Sequence, residues 1–189
     1  MANGRRIPSF RQQSETSRWT VALIVLAGSV GIYTYEKLTR TPDTPIVGLA
    51  QISDGDTIRI EGEHIRLLDI DAPELDQTCE DENRKTWSCG TTASNELRKY
   101  LRGRTINCQP RGFDKFHRVL ATCTLSNGSD VNAWIVQQGW AVASGYAKVY
   151  ETQESEARIA KRGIWQGSFM EPRRWRDLHP REEPVSPPK

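Results

Sequence analysis

The chain has 189 residues, with 26 Lys or Arg against 24 Asp or Glu, a formal net charge of +2. That excess is too small to argue nucleic-acid binding from charge alone, and the length allows one domain of ordinary size with additions. Apolar residues make up 37% and there are six Trp, which supports a folded core or an aromatic binding surface without choosing between them.

Residues 1–18 are polar and basic, with Arg5, Arg6, Arg11 and Arg18. Residues 19–35, "WTVALIVLAGSVGIYTY", carry no charge and are bounded by Arg18 and Glu36. Seventeen residues is the short end of what spans a bilayer. Trp19, Tyr33 and Tyr35 stand at its ends, where interfacial aromatics belong, and the arginines precede it. The expectation is a single-pass transmembrane anchor in the inner membrane, with residues 1–18 in the cytoplasm and the remainder in the periplasm. A cleaved signal peptide and a buried core helix are the rival readings. Residues 36–45, with Pro42 and Pro45, read as a tether.

From Ile46 the pattern changes. "IVGLAQIS" reads as a strand, "DGDT" as a tight turn, and "IRIEGEHIRLLDI" as two strands about Gly62. Residues 76–90 are irregular and hold two cysteines. "TTASNELRKYLRG" places Ala93, Leu97 and Leu101 on one helical face. "RTINCQP" and "RVLATCTL" are strands flanking "RGFDKFH". "DVNAWIVQQG" reads as a helix capped by Asp130, and residues 151–162 as a third helix ended by Gly163. Residues 172–189, rich in Pro and charge, read as a disordered tail. Five short strands with a helix after the third predict a mainly β, α+β domain over residues 46–171: a five-stranded OB-type barrel with three helices.

Cys79, Cys89, Cys108 and Cys123 lack the close pairs of a zinc site. In an oxidising compartment an even count reads as disulfides, and four reduced buried thiols are the alternative. A hairpin centred between Lys115 and Phe116 sets Cys108 directly opposite Cys123, where β-carbons lie about 4.5–5.5 Å apart. Cys79 and Cys89 are then left to pair with each other.

"RLLDIDAPEL" crowds Asp69, Asp71 and Glu74 together, and the turn before it holds Asp54 and Asp56. Adjacent carboxylates repel, so folding alone has no need of them. If the meander brings the two turns to one rim, these hard oxygen donors suit Ca²⁺ or Mg²⁺. Arg66 lies on the strand face opposite Ile65 and Leu67, and Arg118 follows the later hairpin tip. Two guanidinium forks beside a cation match a phosphodiester. Solvated turn carboxylates and surface ion pairs are the plain alternatives.

Taken together, "DGDTIRI", "IRLLDIDAPEL", "DKFHRVLA", "VNAWIVQQGWA" and "EARIAKRGIW" resemble, in order and spacing, the staphylococcal nuclease (thermonuclease) family, over about residues 46–167. The resemblance implies an OB barrel with three helices and Ca²⁺ bound by Asp56, Asp71 and the carbonyl of Ala72. It implies Glu74 as general base, with Arg66 and Arg118 clamping the phosphate and stabilising its five-coordinate transition state. The implied reaction is endonucleolytic hydrolysis of DNA or RNA to 3′-phosphate ends. Lys115 matches a lysine near the nucleotide phosphate, Phe116 falls where the family has a tyrosine, and Tyr146 or Tyr150 is expected to stack on a base or to serve the core. His117 replaces a glycine and Ala72 a threonine, while the "TC…WSCG" insert resembles a subgroup. His64 and His179 have no evident partners. No obligate protein partner is expected.

A reading from another class stays open. Anchored bacterial proteins of this build resemble, in architecture only, proteins grouped with exopolysaccharide (succinoglycan) synthesis, so an OB-fold envelope protein that does not cut nucleic acid is the alternative.

Overall fold

The computed structural model describes residues 44–180. The expected anchor at 19–35, the basic segment 1–18 and most of the tether 36–45 lie outside the described residues, and no described helix is long and apolar enough to cross a membrane.

The first expected strand forms as two pieces, β1 (Ile46–Leu49) and β2 (Gln51–Ile52), separated at Ala50. β3 (Thr57–Ile60) and β4 (Glu63–Leu67) follow as a hairpin, and β5 (Ile70–Asp71) continues beyond it. β6 (Cys79–Glu80) and β7 (Thr86–Trp87) form a small ribbon in the irregular stretch. The chain continues through α1 (Cys89–Leu101), β8 (Thr105–Phe113), β9 (Val119–Leu125), α2 (Val131–Gln137), β10 (Val142–Ala143), α3 (Glu151–Ile159), a 3-10 turn (Gly163–Gln166) and α4 (Pro172–Leu178).

The main sheet has the order β1-β8-β9-β4-β3-β2. Because β1 and β2 belong to one run of chain, the sheet returns on itself as a nearly closed barrel. β2, β3 and β4 make the antiparallel meander, and β4 meets β9 in parallel. Period-2 alternation fixes which side chains face inward. Ile58, Ile60, Ile65, Leu67, Ala121 and Cys123 are buried in the barrel core, closed by Leu97 of α1 and Ile135 of α2. Each such branched aliphatic contributes about 1.5–3 kcal/mol relative to exposure.

The mixed α+β barrel agrees with the sequence-based expectation. Cys108 and Cys123 are register partners on β8 and β9 and are joined, with Cα atoms 4.0 Å apart. Cys79 and Cys89 form the second disulfide. Asp130 caps α2, accepting from the Ala133 N–H at 2.9 Å.

Three expectations need correction. The described residues contain four α-helices, not three, because residues 172–178 form α4 inside the segment expected to be disordered. Composition misleads there: Pro172 at the first helical position supplies the φ that starts a helix, and it is buried. His179 is not isolated, since its ring stacks on Trp175 at 3.9 Å. His64 is not isolated either. It lies opposite Arg59 in the β3–β4 register, with Nε2 2.6 Å from Arg59 Nη2.

Candidate active site

The "DGDT" turn is built by local hydrogen bonds. Asp54 Oδ1 accepts from the Asp56 N–H at 3.1 Å, and the Thr57 carbonyl accepts from the N–H groups of Ser53 and Asp54. Gly55 lets this turn press on the β5 segment: a Cβ there would stand 2.6 Å from the Ala72 Cβ. The close approach brings Asp56 against Asp71 and Ala72, and Asp56 Oδ2 accepts from the Ala72 N–H at 3.2 Å.

Thr57 and Arg66 are register partners across the β3–β4 hairpin. With Ile65 and Leu67 turned into the core, Arg66 faces the other way and bridges the two acids, at 2.8 Å to Asp56 Oδ1 and 2.9 Å to Asp71 Oδ1. Burial raises Asp56, pushing it up to about 7; Arg66 opposes this, while Asp54 and Asp71 add to it.

Glu74 is positioned by its backbone. Gly90, at the start of α1, lies so close that a Cβ on it would be 1.6 Å from the Glu74 carbonyl oxygen. The Glu74 N–H donates to Gln77 Oε1 at 3.2 Å, and the fully buried Gln77 donates in turn to the Met170 carbonyl at 2.6 Å. The carboxylate Oε1 accepts from Arg176 Nη1 at 3.0 Å. Arg176, on α4, also makes a two-pronged pair with Asp71, with both distances 2.9 Å.

Arg118 is oriented by Asp114, four residues earlier. Its Nε donates to Asp114 Oδ2 at 2.7 Å, and its Nη1 reaches Thr57 Oγ1 at 3.2 Å. Thr57 Oγ1 donates to Asp56 Oδ1 at 3.0 Å. Burial alone would raise the Asp114 carboxyl, but the bonds from Arg118 and from the Phe116 N–H outweigh it and hold the carboxyl below its usual range. His117 adopts a left-handed φ of 62°, the conformation a glycine takes most readily at that turn.

A connected run thus leads from Arg118 through Thr57, Asp56, Arg66, Asp71 and Arg176 to Glu74. All six residues that the sequence assigned to metal or chemistry, Asp56, Arg66, Asp71, Ala72, Glu74 and Arg118, lie along or against it. Phe116 is 66% exposed beside them, with Lys115 Nζ 4.9 Å and Arg118 Cζ 5.6 Å from its ring. Tyr146 is fully exposed. Tyr150 is not a stacking surface: it is buried, and its hydroxyl donates to Asp130 Oδ2 at 3.1 Å.

Thr57, Gln77, Asp114 and Arg176 escaped the sequence reading. Asp114 was findable as an acid four residues before an arginine in a tight turn. Arg176 had only the helix start at Glu171–Pro172 to announce it, and Gln77 had no signal.

The donor set suits a hard divalent cation. It is all oxygen, the two carboxylates are held side by side, and the burial that raises Asp56 is a cost such an ion relieves. Among the described residues no three His, Cys, Asp or Glu side chains cluster as a metal cage. The set that the family resemblance implies, Asp56, Asp71 and the Ala72 carbonyl, would need water to complete its shell.

Comparison with known proteins agrees with this architecture. The family model for staphylococcal nuclease homologues matches residues 64–167. Succinoglycan biosynthesis protein ExoI of Rhizobium meliloti (strain 1021) is 33% identical over 171 residues, 87% of this chain and 84% of that protein. Uncharacterized endonucleases of Escherichia coli and of Escherichia coli O157:H7 are each 30% identical over 127 residues, 62% of this chain and 74% of theirs. With more than half its length matched by the family model, the chain belongs to the staphylococcal nuclease homologue family.

Proposed function

We propose that the protein is a Ca²⁺-dependent endonuclease that hydrolyses phosphodiester bonds of DNA or RNA and leaves 3′-phosphate ends. The observation that supports this reading is the connected run from Arg118 to Glu74, which gathers two phosphate-matching arginines, a carboxylate pair and a further carboxylate in one place.

Asp56, Asp71 and the Ala72 carbonyl would hold a Ca²⁺ ion, whose charge would offset that of the phosphodiester oxygens. Glu74 takes a proton from the attacking water, whose oxygen bonds to phosphorus. Arg66 and Arg118 donate to the non-bridging oxygens as negative charge grows there. The bond from phosphorus to the 5′-oxygen breaks, that oxygen gains a proton, and the phosphate stays on the 3′ side. Asp114 orients the Arg118 fork. Lys115 and Phe116 meet the neighbouring nucleotide at the exposed rim, and Tyr146 offers a ring for a base. The family and the endonuclease relatives support nuclease chemistry; Ca²⁺ and the 3′-phosphate ends are what the family resemblance implies.

The test is cleavage of DNA and RNA by the oxidised protein with Ca²⁺, with EDTA, and with Glu74→Gln. Cleavage is expected with Ca²⁺ alone, and Glu74→Gln lowers kcat by about 10²–10⁴-fold. Activity indifferent to both EDTA and Glu74 overturns the mechanism.

We place the domain outside the cytoplasmic membrane, anchored through residues 19–35, on the sequence argument above. Retention in the membrane after carbonate extraction is the expected result. A second reading draws on the Rhizobium meliloti relative, whose name assigns it to succinoglycan biosynthesis and whose similarity covers 87% of this chain. A folded protein without cleavage activity would favour that role.

A further inference from the structure

α4 lies beyond the family-matched residues 64–167, yet its Arg176 contacts both acids at the heart of the site. Nη1 and Nη2 of Arg176 take Asp71 Oδ1 and Oδ2, each at 2.9 Å, and Nη1 also takes Glu74 Oε1 at 3.0 Å. Arg66 adds a donor to Asp71 Oδ1. Both oxygens of Asp71 are therefore held by guanidinium groups, and Glu74 Oε1 is held by the same Arg176 fork.

Charge counting shows why this arrangement and a divalent ion compete. With an ion bound, Asp56, Asp71 and Glu74 would carry three negative charges against the two positive charges of Arg66 and Arg176. A divalent ion added beside both arginines would leave the cluster net positive. With Arg176 gone, the same ion leaves it neutral. The helix bearing Arg176 is suited to leave. It has seven residues, only Pro172 of them is buried, and Leu178 is 58% exposed.

We propose that Arg176 is a built-in, displaceable counter-cation. It occupies Asp71 and Glu74 in the metal-free protein, and α4 must withdraw it before a divalent cation can take Asp71. α4 is thus a latch that sets the cation concentration at which the site becomes competent. A site blocked nine-tenths of the time binds about tenfold more weakly than its open form. The inference rests on the proposed cation site at Asp56 and Asp71.

The test is Ca²⁺ binding by the full chain, measured by calorimetry for wild type, Arg176→Gln, Arg176→Lys and Asp71→Asn. Amide hydrogen exchange over residues 172–178 is followed with and without Ca²⁺. Arg176→Gln is expected to bind Ca²⁺ about tenfold or more tightly than wild type. Arg176→Lys, which keeps the charge and loses the fork, falls between them. Ca²⁺ is expected to speed exchange in α4 of the wild type, a readout that needs no variant to fold. Unchanged or weaker binding by Arg176→Gln, or α4 exchange that slows with Ca²⁺, overturns the latch while leaving the cation site standing. Binding that survives Asp71→Asn, or none in any variant, overturns the cation site and the latch with it. Loss of cleavage by Arg176→Gln at saturating Ca²⁺ would assign Arg176 to the chemistry and also overturn the latch.

Discussion

Gly90→Ala separates tertiary reasoning from local reasoning by the sign of its effect. Gly90 is the second residue of α1, where helix propensity alone predicts that Ala adds roughly 0.5–1 kcal/mol. The packing predicts the reverse. An added Cβ would stand 1.6 Å from the Glu74 carbonyl oxygen and 2.5 Å from its carbon, and both atoms are backbone. Non-bonded heavy atoms settle roughly 3.5 Å apart, so the two chains must part by nearly 2 Å. α1 is held in the core by Ala93, Leu97 and Leu101, whereas the Cys79–Cys89 disulfide and the Gly90 N–H bond to the Gln77 carbonyl only join it to the loop that carries Glu74. The Glu74 loop therefore gives. A shift of about 1 Å in a catalytic group costs about 10²-fold, so kcat should fall at least that far, with about 1–3 kcal/mol of stability lost to overpacking. Steady-state cleavage of DNA with Ca²⁺, run beside Glu74→Gln, reads the first effect, and the urea midpoint reads the second. A Gly90→Ala protein as active as wild type, or more stable, would refute the claim that this contact positions Glu74.

Asp114→Ala removes the acceptor for the Phe116 and Arg118 N–H groups, at 2.8 and 2.9 Å, together with the partner of the Arg118 fork. We expect a stability loss of about 1–3 kcal/mol and a fall in kcat, with Asp114→Asn recovering most of the stability and little of the rate; equal recovery of both would refute the orienting role. In EDTA, Asp56 ties stability to pH. Its folded value of about 7 exceeds the 3.8 of an unperturbed carboxyl, so its contribution is fully present below 3.8 and is lost as pH rises through 7. Urea denaturation from pH 4 to 8 should show wild type losing stability relative to Asp56→Asn across that window, and parallel profiles would contradict it.

The sequence by itself determined what repeats along the backbone. Alternation in "EHIRL" set Ile65 and Leu67 inward and Arg66 outward, as found. Cys108 pairs with Cys123 as expected, but the hairpin tip is centred on Phe116, one half-step from the expected centre, and a bulge between Pro110 and Gly112 restores the register; an Asp before an apolar helical run capped α2. These signals are local because strand and helix periods, turn conformations and caps involve residues only a few positions apart. The order of the motifs also singled out acids and arginines that the fold brings together. What the tertiary structure decided was how those residues are held. Arg176 reaches Asp71 across 105 positions and Glu74 across 102, from a segment whose composition spoke for disorder. Gln77 ties the Glu74 loop to Met170, 93 residues away. Of two tyrosines in "GYAKVY", one is buried and the other fully exposed. No local period encodes such contacts, because each depends on where the closed barrel leaves two distant surfaces facing one another, and only the packed chain defines that.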